Sequence, residues 1–109
     1  MDLKQQIRQM LKQAANDRTD LIARVRASGS KADTNLRIAQ AWDAYNELQE
    51  RLGSYLAQAG EAPNDVLYRQ ARFAHADFMR KLDRCSRAWF SKPFAELAAK
   101  REGGEVDGE

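Results

Sequence analysis

The sequence predicts an all-α protein: an elongated up-down-up antiparallel three-helix bundle with a coiled-coil-like core and a short C-terminal fourth helix, forming one domain over residues 1–102. Three observations carry this. Apolar residues recur at steps of three and four in three successive stretches, which is the period of an amphipathic helix. Only Ser28-Gly29-Ser30 and Gly60-Glu61-Ala62-Pro63-Asn64 interrupt them with turn chemistry, each joining a helix-stop glycine to a new capping residue. A length of 109 residues, 43% hydrophobic and 31% charged, suits one packed core rather than two domains or a disordered chain.

The first helix is expected from about residue 2 to 27, with Leu3, Ile7, Met10, Leu11, Ala14, Leu21, Ile22 and Val25 on one face. Arg18 falls where that stripe asks for a core residue, inside the polar run Asn16 to Asp20. An unpaired buried arginine costs several kcal/mol. Two alternatives follow: the helix breaks there, with Thr19 or Asp20 capping a second piece, or Arg18 meets a carboxylate or a partner chain.

The second helix, about 31 to 59, carries the clearest pattern: Ile38, Ala41, Tyr45, Leu48, Leu52, Tyr55 and Ala59 repeat as heptad seam positions. Trp42 and Leu56 flank the seam, and Trp42 and Trp89 are expected as core anchors. A seam of this kind beside Trp42 offers more apolar surface than two helices cover, which favours a homodimer. Gly53 is a weak point, costing roughly 1 kcal/mol relative to Ala. Asp43, Glu47 and Glu50 are placed on the far face, exposed to solvent or matched to a basic helix.

The third helix starts at the Pro63-Asn64-Asp65 signature and buries Leu67, Ala71, Ala74, Phe78, Leu82, Cys85 and Trp89. Pro93 stops it, lacking a donor and disfavouring helical geometry at Lys92. A fourth helix is expected from Pro93 to Arg101, with Phe94 and Leu97 as its apolar contacts. Phe90 and Phe94 either staple it to the bundle or form an exposed aromatic ridge. The stretch 103–109, low in complexity and acidic, is expected to be disordered. Three helices of these lengths, at 1.5 Å per residue, come to roughly 40 Å each.

The residue inventory narrows the function. No apolar run approaches the ~20 residues of a membrane span, and the charged, glutamine-rich start has no signal-peptide core, which predicts a cytoplasmic protein without membrane contact. One cysteine and one histidine supply neither a zinc set nor a nucleophile and base pair. His75 reads as a packed boundary residue and Cys85 as a small hydrophobe. No catalytic, metal or cofactor residue is assigned, and the chain is expected not to be an enzyme.

Net charge is only +2, but between Arg69 and Lys92 seven basic residues face two aspartates. Arg69, Arg72, Arg80, Arg84 and Arg87 project within about 120° of one another on helix 3, and Phe73 lies in the same arc. Such a run is often a solvated face. Arginine with a surplus aromatic is also the composition of protein hot spots and of nucleic-acid stacking surfaces. The candidate partner-binding residues are therefore Arg69, Arg72, Phe73, Arg80, Arg84, Arg87, Phe90 and Phe94. A protein-binding adaptor or inhibitor is the first reading and a nucleic-acid-binding accessory protein the second, the latter lacking any helix-turn-helix or RNA-recognition motif. In general character, as a small single domain rich in Ala and Arg, the chain is similar to accessory proteins of bacterial phages and mobile elements that bind host machinery, a likeness of style with no motif behind it.

Overall fold

The computed structural model describes residues 2–59 and 64–97. Three long helices, α1 (Leu3–Ser28), α2 (Lys31–Gln58) and α3 (Asn64–Phe90), pack up-down-up, and a single helical turn, α4 (94–97), follows. The bundle is elongated, 47 Å along its long axis, as helices of this length require. No helix among the described residues is long and apolar enough to cross a membrane. The expected extension of α4 to Arg101 and the acidic stretch 103–109 lie outside the described residues.

α1 opens with a reciprocal cap. The Asp2 carboxylate accepts from the Gln5 amide at 2.8 Å, and the Gln5 side chain accepts from the Asp2 amide at 3.2 Å, satisfying two helix-terminal donors. The core then follows the predicted stripes: Ile7, Leu21 and Val25 from α1, Ala41, Leu48 and Leu52 from α2, and Leu67, Phe78 and Leu82 from α3 are all buried.

On the α1–α2 face the single first helix holds, one alternative for Arg18 is removed, and the reading of Trp42 is corrected. α1 runs unbroken through Asn16 to Asp20, and among the described residues Arg18 makes no ion pair. Its guanidinium instead lies on two aromatic faces, 4.1 Å from the Trp42 ring centre and 4.4 Å from that of Tyr45. Ring quadrupoles attract the cation without a carboxylate, a contact of roughly 0.5–2 kcal/mol. Trp42 is accordingly no core anchor: it is 43% exposed and covers Arg18 from the surface. Of the two alternatives for Glu47, the match to a basic helix holds, since it takes an ion pair from Lys81 on α3.

Gly29 stops α1 as expected, in an extended conformation with φ −117°. Its reason is space. A Cβ there would overlap Cζ2 of Trp89, whose indole N–H donates to the Ser28 hydroxyl at 2.9 Å and ties the end of α3 to the end of α1. At Gly53, by contrast, a Cβ would meet nothing within 4 Å. Gly53→Ala is therefore expected to raise the unfolding free energy by about 0.5–1 kcal/mol through helix propensity and chain entropy. Gly29→Ala should lower it and change the tryptophan emission as Trp89 is displaced. Parallel urea melts check both signs, and equal effects of the two would refute this account of Gly29.

The reversal after α3 is built from side chains. Ser91 takes a left-handed φ of 62°, the usual conformation just past a helix end. The Ser86 hydroxyl donates to the Lys92 carbonyl at 2.6 Å, the Asp83 carboxylate accepts from the Phe94 amide at 2.8 Å, and Arg24 donates to the Leu97 carbonyl at 3.4 Å. α4 thus folds back along α3 and toward α1, with Phe94 fully buried.

Candidate docking face

The outward surface of α3 is set by the helical period. Once Leu67, Ala71, Ala74, Phe78, Leu82 and Cys85 are turned into the core, residues offset by half a turn must face solvent. Phe73 is one of them, and it is 67% exposed; Val66, one heptad earlier, is 45% exposed.

The predicted arginines surround Phe73 in different electrostatic states. Arg69 pairs with Asp65 at 3.4 Å and Arg80 with Asp77 at 3.2 Å. Both are local pairs on the helix surface, worth a few tenths of a kcal/mol and readily exchanged for a partner's carboxylate. Arg72 turns away toward α1, donating to the Tyr68 hydroxyl at 3.0 Å and lying over its ring. The side chains of Arg84 and Arg87 are exposed and make no hydrogen bond or ion pair among the described residues. Hydrogen bonds from Lys81 and Arg80 hold the Asp77 carboxyl below its ordinary value, and the bond to Glu47 raises Lys81. Asp77 therefore stays charged, and the ion pairs of Asp77 and Glu47 with Lys81 neutralise the α2 side of α3. Uncompensated positive charge is left at Arg84 and Arg87.

The aromatic pair at the end of α3 separates. Phe94 is fully buried and staples α4 to the bundle, so the predicted exposed ridge is corrected: Phe94 cannot present its ring to a partner. Phe90 is half-buried and packs against the core. The face that remains joins Val66, Arg69, Phe73, Arg80, Arg84 and Arg87. Val66 was not among the predicted residues, although its spacing of seven from Phe73 would have marked it.

On the opposite side of α3, His75 sits half-buried beside Phe78, with ring centres 6.3 Å apart, and its Nε2 is buried without a hydrogen-bond partner. Burial pushes its pKa below the ordinary 6.5; the charge of Asp17 opposes that shift and Arg72 adds to it. Asp17 itself is buried, only 5% exposed, and accepts from the Gln13 side chain at 3.0 Å. No sequence signal distinguishes it from the exposed polar residues around it. Because the folded pKa of His75 lies below its unfolded value, the unfolded chain takes up the proton first as pH falls. The stability owed to a neutral His75 is then complete above 6.5 and is lost as the pH drops below it. Melts between about pH 7.5 and pH 5.5 should show a falling transition for the natural chain and a flatter one for His75→Gln; parallel slopes would refute the assignment.

Cys85 is buried, which pushes its thiol up, in keeping with a packing role. Among the described residues no group of His, Cys, Asp or Glu comes together that could hold a metal ion. Compared with family models, with curated proteins and with solved structures, the chain matches none.

Proposed function

We propose that this chain is a non-enzymatic protein-binding module, an adaptor or inhibitor, that docks on a larger protein through the outer face of α3. The observation that carries the reading is Phe73: a phenylalanine 67% exposed, outside a core that is complete without it. Exposed aromatic surface is costly in a soluble protein unless a partner covers it. Around it, Val66 extends the apolar contact, while Arg84 and Arg87 offer unsatisfied bidentate donors suited to carboxylates. An aromatic anchor ringed by arginines is the usual make-up of a protein hot spot.

The mixture of charges favours a protein over nucleic acid as the partner. Asp65 and Asp77 stand among the arginines and would face phosphates at close range, whereas a protein surface of mixed charge can match both signs. The test is affinity capture from a bacterial lysate, with and without nuclease. One protein recovered in stoichiometric amount after nuclease treatment, and lost with Phe73→Ala, is the expected result. Recovery of nucleic acid alone would transfer the face to the second reading, an accessory protein bound to phosphate backbones.

A further inference from the structure

The charges around Phe73 run in opposite order on its two sides. Asp65 and Arg69 stand eight and four residues before it, and Asp77 and Arg80 four and seven residues after it. Read outward from the ring, an arginine and then an aspartate lie toward Asn64, an aspartate and then an arginine toward Phe90. At 1.5 Å per residue, Arg69 and Asp77 lie about 6 Å along the helix from Phe73, and Asp65 and Arg80 about 11 to 12 Å. A second α3 turned end for end about Phe73 therefore brings each of these charges level with one of opposite sign. A parallel α3 would set arginine against arginine and aspartate against aspartate.

The two pairs differ in weight. At about 100° per residue, Asp65 and Arg80 fall on the same flank of Phe73, so a twofold axis through the two rings joins them directly, and does so twice. Both side chains are exposed, and their present pairs, Asp65 with Arg69 and Arg80 with Asp77, are local ones on the helix surface that exchange at little cost. Asp77 lies on the other flank and is also held by Lys81 and Arg51, so it contributes less. Between the charges the two Phe73 rings meet at the axis. Val66 of the second copy comes level with Arg80, whose aliphatic stem gives it apolar cover. Arg84 and Arg87 extend past Asn64, where α3 of the second copy begins, and the Arg84 residues of the two copies stand about 33 Å apart along the helix axis, well beyond the ~8 Å screening length of physiological salt.

We propose that, when no other partner is bound, a second copy of this chain covers the outer face of α3, in an antiparallel pairing centred on Phe73 and registered by Asp65 and Arg80. The inference rests on the reading of this face as a docking surface and adds its resting occupant, which an incoming partner must displace. One ring and one valine from each chain make a small apolar contact, so the dimer is weak and depends on concentration.

Sedimentation equilibrium of the full chain under reducing conditions, from about 10 µM to about 1 mM, should show the average mass rising from one chain toward two. Phe73→Ala should weaken the association about tenfold or more. Asp65→Arg and Arg80→Asp, each alone, set like charges against each other twice and should weaken it about tenfold with the helical circular dichroism unchanged. Mixed in equal amounts, these two variant chains restore both pairs of opposite sign and should regain the association of the natural chain. A mass that stays at one chain throughout, a dimer that Phe73→Ala leaves intact, or a mixture that associates no better than either variant alone would each overturn the proposal. Capture of the partner judges the docking reading separately. Its loss with Phe73→Ala, in a chain that never dimerises, leaves that reading standing and overturns this one; a Phe73-dependent dimer whose capture is indifferent to Phe73 does the reverse.

Discussion

Leu52→Ala should lower the unfolding free energy by about 2–5 kcal/mol, the range for truncating a fully buried leucine. Leu52 is 0% exposed and belongs to the cluster that Leu48, Phe78 and Leu82 share. Removing its isobutyl group forfeits the transfer free energy of the lost atoms and leaves a cavity that long, parallel-sided helices collapse only partly. For a domain whose whole stability is of order 5–15 kcal/mol, the loss is large. Urea denaturation followed by circular dichroism measures it, and Gly53→Ala, one residue along, should move the midpoint the opposite way. A loss under about 1 kcal/mol would mean that the heptad seam of α2 is not the core.

The second large effect is on binding and spares stability. Phe73→Ala with Arg84→Ala removes the exposed ring and one unpaired cation of the docking face. Neither side chain supports the bundle, so the unfolding free energy should hold within about 0.5 kcal/mol, as is usual for surface changes. Capture of the partner should fall by two orders of magnitude or more, because an aromatic and an arginine hot spot are each worth about 2 kcal/mol or more. Salt separates the two partner classes. A protein anchored by Phe73 should lose little affinity as ionic strength rises, while nucleic acid should weaken along a steep log–log line set by the phosphates neutralised. Unfolding of the double variant would return Phe73 to the core and contradict the α3 register.

The three helices, their order and most of the core were legible because each core position is one of a long series, and a period of three and four repeated over 25 residues leaves little freedom in which face is buried. The exposure of Phe73 was legible for the same reason. What depended on the rotation of one helix against another was not. Arg18 occupied a core position by period, yet only the approach of Trp42 and Tyr45 from α2 explains how the charge is tolerated; reading Trp42 as a hydrophobic anchor hid that contact. Glu47 was left between solvent and a basic helix because its partner, Lys81, lies 34 positions away. Phe90 and Phe94 could not be told apart, since the left-handed turn at Ser91 and the Asp83 and Ser86 hydrogen bonds decide which ring swings inward. Gly29 was legible as a helix stop, but its contact with Trp89 was not, because the two are distant in the chain.

Site-specific photo-crosslinking tests the docking face most directly. A photoreactive residue at Ala76, exposed on α3 between Phe73 and Arg80, is compared with one at Ala39, exposed on α2. Neither position is packed in the core, so both variants should fold alike. The account predicts a crosslink to one protein partner from position 76, absent from position 39 and abolished by Phe73→Ala. A crosslink to that partner from position 39 and not from 76 would contradict it.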